Sequence, residues 1–289
     1  MNYNKYFKRN FCSLKGKTVA VSGATGGIGK ELCRHLLSID ARLILLDRNR
    51  EKSNTLKAQL LESFKNADIK LFTLDLENMT AVKSAAEYLK RENIDYLLLN
   101  AGAYHIPRHL CDTGYDNVFQ INFISPYYLA HELFETISKN GGRIVAVGSI
   151  AHTYSRSDLN DIDFRGTKKS SLAYGNAKRW LMFALYELFK GTDTLAITHP
   201  GITFTNITAH YPKLIFAIIK HPMKIIFMKP KKASLSILSG IFNPTKIGFW
   251  IGPKIFNVWG MPENKKLKSF NKDESLRIFK ISEEIYNKL

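Results

Sequence analysis

Tyr174-Gly175-Asn176-Ala177-Lys178 sets a phenol four residues before an ammonium group. On a helix, positions i and i+4 stack on one face, so the two side chains lie next to each other. A free tyrosine ionises near pH ~10 and is a poor proton donor or acceptor at neutral pH. A neighbouring positive charge favours the phenolate, so Lys178 is expected to lower the Tyr174 pKa. A phenol tuned this way can exchange a proton with a substrate oxygen as a general acid or base.

A second chemical signal is Ser22-Gly23-Ala24-Thr25-Gly26-Gly27-Ile28-Gly29, between an apolar run and a helical pattern. Glycines there permit a tight turn and close approach of backbone to a pyrophosphate, and the helix N-terminus supplies N–H donors. That context makes the run a dinucleotide-binding turn. Asp47 and Arg48 close the next apolar run. An acid at that point accepts hydrogen bonds from ribose hydroxyls and repels a 2′-phosphate, whereas an arginine attracts one. Asp47 at the strand end, with no basic residue inside the glycine turn, favours NAD over NADP. Asp75, after the third run, is placed to accept a bond from the adenine amino group.

These residues need a scaffold, and the rest of the chain supplies one. Continuous apolar runs at 18–21, 43–46, 71–74, 96–99, 144–147 and 195–198 read as strands covered on both faces, with a further candidate at 249–251. Helical patterns at 30–37, 50–64, 81–90, 125–138 and 174–188 separate them. Strand–helix alternation predicts an α/β fold with a doubly wound parallel sheet. A length of 289 residues, 45% of them hydrophobic, suits one large domain over 1–289 with an N-terminal extension at 1–14.

Cys12, Cys33 and Cys111 are few, odd in number and far apart, which suggests neither a disulfide framework nor a metal knuckle. A reducing, cytoplasmic setting is the expectation. Segment 1–17 is basic and aromatic without the apolar core of a secretion signal, and no run of 18 apolar residues predicts a membrane span. His105, His109 and His131 show no metal-ligand spacing, and His152 reads as a satisfied polar residue rather than a second base.

Taken together, the motifs resemble the short-chain dehydrogenase/reductase family, and its retinol dehydrogenase-like members in particular. The resemblance runs from about Lys15 to Thr205 and implies a Rossmann-type fold. The glycine turn is similar to the family's Thr-Gly-x-x-x-Gly-x-Gly with Ser22 in place of Thr. Asp75-Leu76 resembles its adenine-contacting pair. Leu99-Asn100-Ala101-Gly102 resembles Asn-Asn-Ala-Gly with Leu99 in place of the first Asn. Pro200-Gly201-Ile202-Thr203-Phe204-Thr205 resembles the segment beside the nicotinamide. The resemblance implies a tetrad of Asn122, Ser149, Tyr174 and Lys178, with Ser149 twenty-five residues before Tyr174. It assigns Tyr174 as proton carrier and Ser149 as a donor to the substrate oxygen. Lys178 holds the nicotinamide ribose, and Asn122 anchors a water beside Lys178. Cofactor contacts are implied for Gly23, Thr25, Gly26, Gly27, Ile28, Gly29, Asp47, Arg48, Asp75, Leu76, Asn100, Ala101, Gly102, Tyr174, Lys178, Pro200, Gly201, Thr203 and Thr205. Members of the family often pair into dimers or tetramers, so a homo-oligomer is compatible.

Segment 205–262 is where this family usually builds its substrate lid. Here it is apolar and basic: between Asp193 and Glu263 there is no acid, but there are eight lysines. Much of the net charge of +17 therefore lies late in the chain. Three readings stand: a pocket wall for a steroid, retinoid or similar apolar alcohol, a contact of 211–232 with an anionic membrane surface, or ordinary packing. Nucleic-acid binding is not expected, because the aromatics cluster with aliphatics instead of interleaving with arginine. Two other functions share these motifs: a dinucleotide sensor without chemistry, and a nucleotide-sugar epimerase or dehydratase suggested by the spacing of Gly26.

Overall fold

A computed structural model describes residues 3–154, 156–202 and 228–289. Its centre is an eight-stranded sheet in the order β3-β2-β1-β4-β5-β6-β7-β8. The strands are β1 (Thr18–Ser22), β2 (Arg42–Asp47), β3 (Ile69–Thr73), β4 (Tyr96–Leu99), β5 (Arg143–Val147), β6 (Leu195–Thr198), β7 (Phe249–Ile255) and β8 (Trp259–Lys266). Strands β1 to β7 pair in parallel, and β8 folds back antiparallel on β7. The order reverses between β1 and β4, and in such sheets the crevice beyond the strand C-termini at that point is the ligand site.

Sequence and topology agree because β1, β4, β5 and β6 are covered on both faces. Val19, Ala20, Val21, Leu97, Leu98, Ile144, Val145, Ala196 and Ile197 are fully buried. Two apolar clusters lie on opposite faces of the sheet. One holds α4 (Met79–Arg91), α6 (Ser125–Lys139), α7 (Ser170–Leu188) and α9 (Lys272–Tyr286). The other holds α1 (Tyr3–Asn10), α2 (Gly27–Leu37), α3 (Arg50–Ser63) and α8 (Pro230–Phe242). A short turn of helix, α5 (Asn117–Phe119), runs through a π-helical stretch, Gln120–Ile124, into α6. Such insertions in a helix often mark functional positions, and Asn122 lies at the middle of this one.

Helices α1, α5, α8 and α9 and strand β8 were not expected from the sequence, and α8, inside the segment read as a lid, packs into the second cluster instead. Helix α1 falls within the extension at 1–14 and packs Tyr6 into the second cluster, joined by Phe11 just after the helix. Strand β8, Trp-Gly-Met-Pro-Glu-Asn-Lys-Lys, is mostly polar and contains Pro262, features that argue against a strand except at a sheet edge. It occupies that edge. Among the described residues no helix is long and apolar enough to cross a membrane.

Candidate active site

The glycine turn leaves β1 and enters α2. Gly23 has φ +66°, and a side chain there would bring Cβ to 2.9 Å from the Ala101 Cα. A Cβ on Gly29 would lie 2.2 Å from the Gly23 carbonyl oxygen. Only glycine fits either place. Gly26 caps α2 without a side-chain hydrogen bond, so the first N–H groups of the helix, those of Gly27, Ile28 and Gly29, face outward at the positive end of the dipole. Ser22 stands where the family pattern has threonine and keeps a hydroxyl there. Its hydroxyl donates to Leu98 O (3.2 Å) and accepts from the N–H groups of Asn100 and Ala101 (both 3.0 Å), tying β1 to the end of β4. Asn100 completes the tie by donating to the carbonyls of Ser22 (2.9 Å) and Gly23 (3.1 Å). Asn100 therefore holds the cradle in shape through its amide, while Ala101 and Gly102 line it.

A cleft of about 580 Å³ opens beside this turn. Gly23, Thr25, Asp47, Arg48, Asp75, Leu76, Ala101 and Gly102 all reach its wall, so the structure brings eight of the nineteen sequence-predicted cofactor contacts to this cleft. Asp47 departs from expectation. Its Oδ1 accepts from the Thr25 N–H (3.0 Å) and hydroxyl (2.8 Å), and Oδ2 takes a longer bond (3.4 Å) from Ser53. The residue is only 5% exposed. Burial raises its pKa, opposed by the bonds from Thr25. Its main work in this structure is to clamp the glycine turn to β2, with only Oδ2 retaining room for a ribose hydroxyl. Arg48 remains exposed at the rim, 3.6 Å from Glu77, with Asn49 and Lys52 beside it at the start of α3. Asp75 closes a small turn by accepting from the Glu77 N–H at 3.0 Å.

One convergence at the cleft mouth has no trace in sequence spacing: Glu77, His109 and Cys111 bring ligand-type atoms within 4.8 Å of one another. Asn117 donates to His109 Nδ1 at 3.1 Å, which fixes the ring proton on Nε2. Nε2 then donates to Glu77 at 3.0 Å. That hydrogen bond occupies the nitrogen a metal would need, so the trio reads as a polar latch.

Gly102, on the cleft wall, borders the sequence-predicted tetrad, the candidate catalytic corner. Tyr174 lies in the second turn of α7, half-buried, and Lys178 follows one turn later, fully buried. Ser149 caps the 3₁₀ turn Ile150–Thr153 by accepting from the Ala151 N–H (3.2 Å), and it lies near enough to Tyr174 to pull that residue's pKa downward. Gly175 admits this turn, since a Cβ there would meet the Ala151 carbonyl oxygen at 2.2 Å. Asn122 accepts from the Ala103 N–H (3.2 Å) and donates to the carbonyls of Ala103 (2.9 Å) and Val118 (2.8 Å). A Cβ on Gly102 would lie 2.8 Å from Asn122 Oδ1 and 3.5 Å from Lys178 Nζ. Asn122, Lys178, Ser149 and Tyr174 are therefore one constellation. Asn122's bonds hold the 101–103 loop.

The expected acidification of Tyr174 by Lys178 does not hold here. Burial drives the Tyr174 pKa up to about 12, and the nearby Ser149 hydroxyl only partly offsets it. The Lys178 amine is itself pushed down to about 8 by burial. Its Nζ donates to Val147 O at 2.9 Å and stands 5.9 Å from the centre of the Tyr174 ring. Desolvation disfavours both charged forms at once and outweighs their mutual support. An ammonium has three donors, so two hydrogens of Lys178 remain for other partners on the Gly102 side.

Sequence reasoning missed the aromatic walls. Tyr104 packs edge-on against Tyr174, with ring centres 5.3 Å apart, and Tyr154 stands close enough to raise its pKa. His152, read as a satisfied polar residue, is buried. It bonds the Ser149 carbonyl through Nδ1 and the Ser269 hydroxyl through Nε2 (2.6 Å), and burial holds its pKa down at about 4. Pro200 and Gly201 (φ +86°) end β6 beside this corner. Thr203, Phe204, Thr205 and residues 206–227 of the proposed lid and basic segment lie outside the described residues.

The profile of the family described as short chain dehydrogenase matches residues 17–159. Short-chain dehydrogenase TIC 32 A of Brassica napus is 30% identical over 216 residues, covering 68% of this chain and 67% of the relative. The chain belongs to the short-chain dehydrogenase/reductase family. Retinol dehydrogenase 12 of Mus musculus, 28% identical over 215 residues, covers 71% of the chain and 68% of its own length. The membership makes this chain an NAD(P)-dependent short-chain dehydrogenase/reductase. Among solved structures, a putative uncharacterized protein from Mycobacterium Paratuberculosis superposes with a TM-score of 0.74 over 96% of both chains at 20% identity. A putative NAD(P) dependent gluconate 5-dehydrogenase from Beutenbergia cavernae, with bound NADP, gives 0.60 over 79% of this chain and 91% of its own at 19% identity. Both likenesses concern the fold.

Proposed function

We propose that this dehydrogenase interconverts an apolar secondary or lipid-like alcohol, such as a steroid or retinoid, and its carbonyl compound, with Tyr174 as general acid and base. The observation that carries the proposal is the gathering of Asn122, Ser149, Tyr174 and a buried Lys178 beside Gly102, on the wall of a glycine-built dinucleotide cleft. The cleft fits a dinucleotide because Gly23 and Gly29 leave space that any side chain would fill. When bound, the nicotinamide supplies or accepts the hydride. The remaining steps are the protein's. Ser149 donates to the substrate oxygen, and Tyr174 passes a proton to it in reduction or takes one in oxidation. Lys178 presents its unused hydrogens toward the Gly102 side, and Asn122 keeps that loop in place. The apolar substrate class is supported by the aromatic walls of Tyr104 and Tyr154 and by the retinol dehydrogenase relatives. Absorbance at 340 nm with retinol, sterol and short secondary alcohols tests it: turnover of the apolar alcohols that Tyr174→Phe abolishes is expected. No turnover with any alcohol, alongside tight dinucleotide binding, would return the chain to the sensor reading.

For the cofactor, the sequestered Asp47 and exposed Arg48 support NADP at least as well as NAD. Asp47 is committed mainly to Thr25, while Arg48 and Lys52 give the rim a positive charge suited to a 2′-phosphate. Fluorescence titration with both dinucleotides decides between them.

A further inference from the structure

The tip of the β7–β8 hairpin is not explained by folding. Val258 N–H donates to the Ile255 carbonyl at 2.9 Å, closing a turn whose central residues, Phe256 and Asn257, have φ of 50° and 58°. This is the primed turn that matches hairpin twist, and it favours Asn or Gly at both central positions. Asn257 suits it. Phe256 does not: a bulky side chain in the left-handed region is an outlier, and strain of that kind persists at functional sites. No burial compensates, since Phe256 is 84% exposed. Ile255 and Trp259, at 50% and 40%, extend the exposed apolar tip.

Charge surrounds this tip. Lys265, Lys266 and Lys268 line one shallow concavity together with Phe256, and Lys254 is exposed next to Ile255. Lys265 also braces the turn by donating to the Lys254 carbonyl (2.8 Å) and Asn257 Oδ1 (3.2 Å). Glu263 is the hairpin's single acid, 3.8 Å from Lys254. The mount is rigid. The Asn257 carbonyl meets His199 Nε2 at 3.1 Å, and His199 stacks on buried Trp250. The Cβ position of Gly201 lies 3.0 Å from both Pro253 Cγ and Val258 O, so the hairpin rests on the strand end that leads into the catalytic corner.

We propose that this tip is an interfacial anchor that inserts Phe256, Ile255 and Trp259 among the headgroups of an anionic lipid bilayer while the lysines meet lipid phosphates. Aromatic and aliphatic side chains ringed by lysine are the composition that settles at a membrane surface, and anionic lipid adds attraction for each lysine. A second copy is a poorer occupant, because two-fold pairing of one patch sets lysine against lysine. The inference is separate from the reaction and holds whether or not the proposed chemistry does.

The test uses the full chain, without substrate, and vesicles of phosphatidylcholine with and without phosphatidylserine. Trp180 and Trp250 are buried, so a blue shift of tryptophan emission reports on Trp259. The expected result is co-sedimentation with the anionic vesicles accompanied by that shift. Phe256→Asn should lower the partition coefficient roughly tenfold by removing the apolar insertion. Because it relieves the turn, its melting temperature should be unchanged or higher, which separates lost binding from lost folding. Reversing Lys254, Lys266 and Lys268 to Glu should abolish the preference for anionic lipid, about fivefold for each charge removed. Failure to bind anionic vesicles, or binding that Phe256→Asn leaves intact, overturns the proposal. So does a solution dimer that Phe256→Asn dissolves while vesicles are ignored.

Discussion

The glycine turn and the catalytic corner sit on neighbouring strand ends but are held by opposite means. The turn is built from backbone, with Gly23 and Gly29 leaving room and Ser22, Asn100 and Asp47 pinning it through short neutral or charge-assisted bonds. Its polar side chains find partners within the protein, while the first N–H groups of α2 face outward. The corner is built from ionisable side chains withdrawn from water, Tyr174 pushed up to about 12 and Lys178 down to about 8. The first region stabilises the fold while shaping a ligand site. The second sets stability against function: a buried amine costs free energy unless an interaction with a ligand offsets it.

Removing the Tyr174 hydroxyl gives the sharpest break. Tyr174→Phe should lower kcat by about 10²–10⁴-fold, the usual worth of general acid–base help, with dinucleotide affinity unchanged. Steady-state kinetics and a binding titration on the same preparation separate the two regions, and retained turnover would remove Tyr174 from the chemistry.

Lys178→Met should also stop turnover yet leave the protein as stable or more stable at pH 7. The lysine's folded pKa of about 8 lies below its ordinary 10.5, a penalty of about 3 kcal/mol. Below pH 8 both states carry the proton and the penalty is complete. Between about 8 and 10.5 the unfolded chain binds more protons than the folded one, so the wild type gains stability as pH rises through that window. Urea unfolding at several pH values checks this, and a wild-type slope of the opposite sign would refute the buried amine.

In the cradle, Gly29→Ala should act in the reverse sense, damaging fold and binding together. Its Cβ would lie 2.2 Å from a carbonyl oxygen. Overpacking of this kind costs about 1–3 kcal/mol, read as a fall in melting temperature with weakened dinucleotide affinity. The smallest effect is expected at the rim. Arg48→Ala should weaken NADP about tenfold relative to NAD, the worth of one charge-assisted bond. Equal loss for both dinucleotides would take the 2′-phosphate away from Arg48.

What the sequence disclosed follows the same division. Gly23, Gly29, Tyr174 and Lys178 were legible because their meaning lies within a few residues of chain. The strands β1, β2, β4, β5 and β6 were legible because burial on both faces leaves continuous apolar runs. Ser149 and Asn122 could be found only through resemblance, since nothing local distinguishes them. The reassignment of Asp47 was not legible: its partner Thr25 is 22 residues away, and only folding brings them together. The direction of the Tyr174 shift was missed for a related reason. Sequence supplies the neighbouring charge but not the depth of burial, and burial prevails. Strand β8 escaped notice because an edge strand can be polar and carry Pro262.

One hydrogen bond noted nowhere in the sequence has a practical consequence beside the Gly201 turn. The Met228 N–H donates to the Ile202 carbonyl at 3.0 Å, so the chain departs and returns at a single point. Closure entropy grows only slowly with the length enclosed by such a pinch. The bond therefore ties the exit of β6 to the approach to α8 whatever lies between, and Met228→Pro, which removes the donor, should lower the melting temperature.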